Sequence, residues 1–128
     1  MEKEIWKEIK GFDGNYSVSS EGRVRSNGLL KGKNSKVRIL KTEMSKKGYL
    51  RVGLVKDGKQ KKYLVHRLVA IAFLDNPNNL PDVNHRNECK TDNRLINLEW
   101  MSRRDNMNYG DRTKKASTTR FINNIPLF

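Results

Sequence analysis

The tightest constraint on how this chain folds is the run Tyr49-Leu50-Arg51-Val52-Gly53-Leu54-Val55, closed by Lys56-Asp57-Gly58-Lys59. Leu50, Val52 and Leu54 alternate with small, charged or β-branched neighbours, the period-2 pattern of a strand that buries one face. Asp-Gly supplies the positive φ angles of a two-residue hairpin turn, so the chain reverses there and Lys61 to Val65 returns as the partner strand. The period then changes. Leu64, Leu68, Ile71 and Ala72 recur at helical spacing, which predicts a helix from His66 to about Leu74 packed on that sheet. Asp75 to Pro81, with two prolines and three asparagines, cannot continue it.

On the N-terminal side, Gly11-Phe12-Asp13-Gly14-Asn15 is turn chemistry, Tyr16-Ser17-Val18-Ser19 alternates like a strand, and Ser20-Glu21-Gly22 turns the chain into Arg23-Val24-Arg25, a small β-hairpin. Residues 27–47 read as a basic loop broken by a short strand near Val37 to Leu40. Beyond Pro81 come a short strand at Asp82 to His85, a polar loop from Arg86 to Asn93, and a second strand at Leu98 to Met101. A helix begins near Ser102, where Ser102 and Asp105 resemble a capped start. No internal repeat is present, and Asp111 to Phe128 has no strong periodicity.

A chain of 128 residues has room for one ordinary domain. Its 27 Lys and Arg against 14 Asp and Glu give a net charge of +13, unevenly spread. Between Gly28 and Arg67 lie thirteen basic and two acidic residues, a net +11. A field of one sign so concentrated attracts a polyanion and supplies the counterion-releasing contacts that dominate binding to a phosphate backbone. The alternatives are a solvated face and an acidic membrane surface, the latter disfavoured because the charges sit in strand-like sequence and not on an amphipathic helix. The longest apolar run, Leu68 to Leu74, is far short of the roughly 20 residues that cross a bilayer, and Met1 to Glu4 has no signal-peptide character. The expectation is an intracellular protein with no membrane partner. The single cysteine, Cys89, excludes an intramolecular disulfide and reads as a small half-buried filler.

The segment Val83 to Trp100 is unusually polar for a stretch between two apolar strands. A histidine, His85, ends the first strand, a loop dense in carboxamides follows, Asn97 precedes Leu98-Glu99-Trp100, and Asn106 lies about one turn into the helix. Phosphodiester hydrolysis needs such parts: a neutral imidazole to take a proton from water, and oxygen ligands for a hard cation that neutralises the phosphate and the leaving 3′ oxygen. On spacing alone, a structural histidine and ordinary asparagine turns explain the same residues.

Val83-Asn84-His85, Asn93, Asn97-Leu98-Glu99-Trp100 and Asp105-Asn106 together resemble the HNH endonuclease pattern of phage and intron-encoded homing endonucleases. The upstream stretch resembles the DNA-binding motif that commonly precedes it there: Trp6 to Phe12, Tyr16 to Ser19, Gly22 to Ser26, Gly48-Tyr49-Leu50 and Val65 to Ala70. The two motifs occur in the expected order across residues 4–110.

The resemblance implies an α+β fold, with small antiparallel β-hairpins and one helix followed by a ββα-metal (His-Me finger) nuclease motif. It divides the chain into a basic β-rich DNA-binding region at 1–64, a nuclease module at 65–110 and a short tail at 111–128. By that match His85 is the general base, Asn97 braces the loop and orients the His85 ring, and Asn84 and Asn106 supply oxygens to one Mg²⁺ or Mn²⁺. The partner is double-stranded DNA, with Arg38, Lys46, Lys47, Arg51, Lys61 and Lys62 from the basic segment, and Arg103 and Arg104 beside the site, as candidate phosphate contacts. Two departures stand out. Family members often carry aspartate where this chain has Asn84, and a carboxamide is a weaker ligand for a hard cation. Many relatives also continue into a helix-turn-helix, for which the 22 residues after Asn106 are too few. A monomer that nicks one strand is favoured over a dimer, and a phage or mobile element acting in a bacterial cytoplasm is the expected source. The competing readings are a DNA-binding regulator whose nuclease site has decayed and, more weakly, an RNA-binding module. His66 reads as a packed structural residue, and Trp6 and Trp100 as core anchors.

Overall fold

The computed structural model describes residues 3–28 and 36–109. Among these, nine strands lie in three antiparallel sheets: β1 (Trp6–Glu8), β2 (Tyr16–Ser19), β3 (Val24–Asn27) and β4 (Val37–Ile39) in the order β1-β2-β3-β4; β5 (Glu43–Met44), β6 (Leu50–Lys56) and β7 (Lys59–Leu64) in the order β5-β6-β7; and β8 (Asp82–His85) paired with β9 (Leu98–Met101). Helix α1 (Val65–Phe73) follows β7 directly, a short 3₁₀ turn covers Leu95–Asn97, and a second helix, α2, occupies residues 103–109. The protein is α+β, with several antiparallel sheets and two helices. No helix among the described residues is long and apolar enough to cross a membrane.

The central hairpin forms as its sequence requires. Lys56 pairs with Lys59, and between them Asp57 (φ 53°) and Gly58 (φ 75°) both take positive φ, the geometry that matches the twist of the flanking strands. Val52 and Leu54 are buried to 1% and 0% exposure, with Leu50 partly buried beside them. Helix α1 is the hub. It buries Val65, Leu68, Val69 and Ala70 and packs against strands of all three sheets. One apolar cluster therefore joins Ile9, Phe12, Tyr16, Val18 and Val24 to Val52, Leu54 and Val69, and continues to Val83 and Leu98 of the last hairpin. The boundary expected at residue 64 falls inside this shared core, between β7 and α1. The two larger sheets are also tied by a hydrogen bond from the Val55 amide to the Tyr16 hydroxyl at 3.0 Å.

Several expectations need adjustment. The stretch read as a basic loop contains a second strand, β5, held by pairing Glu43 with Arg51 and Met44 with Leu50. Two residues are too few to carry a periodic signal, so long-range pairing decides them. Cys89 is exposed and not a half-buried filler, because its loop is built from polar side chains bonding to one another. Trp6 stands outside the core, with Arg25 and Arg23 over its ring at 4.4 and 5.6 Å. Trp100 does pack against the core, and its indole N–H donates to the Leu74 carbonyl at 3.1 Å. The tail at 111–128 lies outside the described residues.

Candidate active site

The candidate site is carried by β8, β9 and α2. Antiparallel register sets Asn84 opposite Glu99 and His85 opposite Leu98, so His85 ends its strand against a fully buried leucine. Ser102 Oγ accepts from the Asp105 amide at 3.1 Å, the cap that starts α2. Asn106, on the first turn of that helix, comes back over β8, where its amide group donates to Asp82 Oδ2 at 3.2 Å. A polar pocket of about 160 Å³ results, lined by Tyr49, Asn84, His85, Glu88, Lys90 and Asn106 among others.

The His85 ring is 5% exposed as a residue and fixed on several sides. Its Nε2 lies 2.7 Å from Asn93 Oδ1. With the amide oxygen as acceptor, Nε2 carries the proton and Nδ1 keeps its lone pair. The rings of His66 and Tyr49 pack at 4.8 and 6.0 Å from it, and His66 and Tyr49 lie 5.1 Å apart. Burial pushes the His85 imidazole below its usual pKa, against an opposing contribution from the Asn93 hydrogen bond. Burial also pulls His66 down to about 4, reinforced by the charge that His85 would carry. His66 is thus packed, as expected, and its buried Nδ1 has no hydrogen-bond partner among the described residues.

Among the described residues, Asn97 makes no hydrogen bond to the ring. It spans the loop instead: its amide group donates to Asn87 Oδ1 at 3.0 Å and to the Asp92 carbonyl at 2.8 Å, and its Oδ1 accepts from the Asn87 amide at 3.1 Å. Its carbonyl takes the Arg86 amide at 2.8 Å, tying the loop's exit to its entry. Asn97, expected to brace the loop and orient the His85 ring, makes these hydrogen bonds within the loop, and the side-chain hydrogen bond to the ring is made by Asn93. The N-terminal part of the chain holds Asn93 in turn. Gly22, at φ +85°, sits where an added Cβ would meet the Asn93 carbonyl at 2.9 Å, and the Leu95 amide donates to the Ser20 carbonyl at 2.8 Å.

Among the described residues no three His, Cys, Asp or Glu side chains cluster in a way that could hold a metal. The oxygen donors that fit a hard cation are carboxamides. Asn84 donates from Nδ2 to Glu99 Oε2 at 2.9 Å and Asn106 to Asp82 Oδ2. Carboxylates only accept, so these bonds identify the nitrogens, and Oδ1 is the atom of each amide suited to a cation; Asn84 also has a side-chain hydrogen bond with Tyr109. Both asparagines line the same pocket as His85. A divalent metal is compatible with this donor set.

The expected phosphate contacts fall in several places. Lys46 and Lys47 are exposed on the turn before Tyr49, and that turn abuts the His85 loop, where Lys90 Nζ donates to the Lys47 carbonyl at 2.9 Å. Lys61 and Lys62, adjacent on β7, necessarily point to opposite faces. Lys62 and Arg51 share Glu43, at 2.6 and 3.5 Å. Arg38 is exposed on β4 of the other sheet, and Arg103 and Arg104 are exposed at the start of α2, with Arg103 3.9 Å from Asp82. Sequence reasoning gives no site role to Tyr49, Lys90, Asp82 or Glu99. The pairing of Asn84 with Glu99 could be found from strand register; the others depend on tertiary packing.

Residues 4–55 match the NUMOD4 motif. The chain is 41% identical over 102 residues to DNA endonuclease I-HmuI of Bacillus phage SP01, covering 80% of this chain and 55% of that protein. It is 36% identical over 100 residues to the uncharacterized HNH endonuclease L245 of Acanthamoeba polyphaga mimivirus, covering 78% of this chain and 28% of that one. A solved structure described as DNA binding and cleavage by the HNH homing endonuclease I-HmuI matches with a TM-score of 0.70 and 37% identity, over 88% of this chain and 59% of the other. The chain is thus similar to the HNH homing endonuclease I-HmuI over most of its own length, with the NUMOD4 match on its N-terminal side. It spans about half the length of that relative.

Proposed function

We propose that this chain is a metal-dependent endonuclease that hydrolyses one phosphodiester bond in double-stranded DNA per monomer, leaving a nick. The observation that carries the reading is a buried His85, hydrogen-bonded through Nε2 to Asn93, in the same pocket as two asparagines whose Nδ2 atoms are each engaged by a carboxylate.

In this reading the β8-β9-α2 unit is a ββα-metal nuclease motif. His85, neutral because burial disfavours its charged form, takes a proton from the attacking water at Nδ1 while Asn93 holds the opposite edge of the ring. Asn97 keeps the loop that presents Asn93 closed. Asn84 and Asn106 are the residues that would hold Mg²⁺ or Mn²⁺; such a cation, when bound, would neutralise charge on the phosphate and the leaving 3′ oxygen. Lys46 and Lys47, on the turn beside the His85 loop, and Arg103 and Arg104 on α2 bind the backbone on either side of the scissile bond. Arg38, Arg51, Lys61 and Lys62 extend the contact over the sheets. A single His85 activates one water against one phosphodiester, so a double-strand break requires a second copy. I-HmuI, by its name a DNA endonuclease, supports the substrate class.

The test is conversion of supercoiled plasmid by the parent protein and by H85A in Mg²⁺, Mn²⁺ and EDTA. Open circles should form with the parent and a metal. A folded parent that binds DNA and leaves it intact in both metals would favour the decayed DNA-binding reading instead.

A further inference from the structure

The two asparagines proposed as metal ligands are each backed in the same way. Asn84 Nδ2 donates to Glu99 Oε2 at 2.9 Å, and Glu99 Oε1 faces Arg86 Nη1 at 3.8 Å. Asn106 Nδ2 donates to Asp82 Oδ2 at 3.2 Å, and Asp82 Oδ1 faces Arg103 Nη2 at 3.9 Å. Two relays of arginine, carboxylate and asparagine therefore converge on one pocket from different elements. The first crosses β8 and β9 through the Asn84–Glu99 register pair, and the second joins α2 to the first residue of β8.

A ligand carboxylate has two equivalent oxygens, so it binds a cation whichever way it rotates. A carboxamide binds only when its oxygen faces the metal; turned over, it presents two N–H groups that repel the cation. It is also neutral, which weakens its hold on a hard divalent ion. Both deficits are met by a carboxylate behind the amide. It accepts from Nδ2 and so fixes the flip, and it adds negative charge near the cation site that the arginine beyond it, 57% or 73% exposed, offsets only in part. Asp82 and Glu99 lie 22% and 28% exposed, sheltered enough that their charge is incompletely screened.

We infer that Glu99 and Asp82 are positioning residues that hold Asn84 and Asn106 oxygen-first toward the divalent cation and supply the charge these neutral ligands lack. The inference rests on the nuclease reading above. It makes this site an amide version of a carboxylate centre, with its negative charge moved one side chain outward. Partners of this kind typically change metal affinity by about 10–100-fold when removed.

The experiment is a Mn²⁺ titration of the DNA-free protein, followed by the electron paramagnetic resonance of unbound Mn²⁺, with thermal melting of each variant in EDTA. E99A should weaken Mn²⁺ binding roughly 10-fold or more. E99Q, which keeps an acceptor for Asn84 Nδ2 and loses only the charge, should fall between E99A and the parent. D82A and D82N should stand in the same order for Asn106. The discriminating background is N84D, whose two ligand oxygens are equivalent: there E99A and E99Q should weaken Mn²⁺ equally, because no flip remains to be set. A purely structural Glu99 would lower the melting temperature in EDTA without this dependence on residue 84. Mn²⁺ affinity of E99A within about twofold of the parent's, well short of the loss expected for a metal-supporting partner, overturns the inference. So does an E99A–E99Q gap that persists unchanged in the N84D background. A parent protein that binds no Mn²⁺ at millimolar concentration overturns the metal-site reading beneath it, which is a different result from a parent that binds and an E99A that binds equally well.

Discussion

His85 and Asn93 are joined by a 2.7 Å hydrogen bond between Nε2 and Oδ1, buried at both ends. With Asn93 Oδ1 as the acceptor, Nε2 carries the proton, and in the proposed mechanism Nδ1 is then the nitrogen that acts as base. H85A should reduce single-turnover nicking by about 10²–10⁴-fold, the usual contribution of a general base, with DNA affinity nearly unchanged. N93A should lower the rate less, because the ring loses its orientation and not its nitrogen. Equal loss of DNA binding and cleavage in folded H85A would argue that His85 supports the interface instead of the chemistry.

Gly22 and Asn93 make a second coupling, between the N-terminal sheet and the site. A methyl group at Gly22 would lie 2.9 Å from the Asn93 carbonyl, on a residue already at φ +85°. G22A should therefore cost about 1–3 kcal/mol of stability, from strain and displaced backbone together, and slow nicking by moving Asn93. Thermal melting and single-turnover rates check it; a melting temperature and rate equal to the parent's would show that the loop yields without consequence.

Asn97→Ala strands the Asn87 amide and the Asp92 carbonyl, both bonded to the Asn97 side chain. Leaving such groups unpaired costs about 1–3 kcal/mol, so both stability and rate should fall. An unchanged melting temperature would remove the bracing role.

The legibility of the chain divides along physical lines. Strands β8 and β9 are readable at Asp82 to His85 and Leu98 to Met101 because each is a short run with apolar residues bounded by polar loop, and the Asp57-Gly58 turn because its φ angles demand those residues. The partner of the His85 ring is not readable. Asn93 and Asn97 are both carboxamides in one loop, and which reaches the ring depends on how that loop closes, with Glu88 at φ 62° and the Ser20–Gly22 turn packed behind it. Glu99 and Asp82 have the sequence appearance of surface charges, and only register and helix docking place them behind the two asparagines. The thirteen basic residues between 28 and 67 point to a polyanion partner, but the charge count is blind to Lys61 and Lys62 facing opposite ways.

His66 should give the protein an acid sensitivity. Its folded-state pKa of about 4 lies below the ordinary value of 6.5, so the folded protein disfavours the charged ring. The neutral ring's contribution is complete above about pH 6.5 and is lost as the pH falls toward 4. The melting temperature should decline across that window, and H66F should flatten the decline. A parent profile flat across the same window would contradict the burial of an uncharged His66.

Salt dependence locates the DNA face. Affinity for duplex DNA should fall with a log–log slope of about −0.9 per phosphate contacted. Lys46 and Lys47 are exposed on the turn beside the site, whereas Lys62 is engaged by Glu43. Neutralising Lys46 and Lys47 together should flatten the slope more than neutralising Lys62 alone. The reverse order would move the principal contact onto the outer face of the three-stranded sheet.

A time course on supercoiled plasmid at low enzyme concentration in Mg²⁺, run for the parent and for H85A, separates a one-strand nuclease centred on His85 from every other reading. Open circles should accumulate with the parent before any linear molecules form, at a rate proportional to enzyme concentration, and with H85A they should form at least about 10²-fold more slowly. Plasmid nicked equally by H85A, or linear product from the first time points at a rate rising as the square of enzyme concentration, would contradict it.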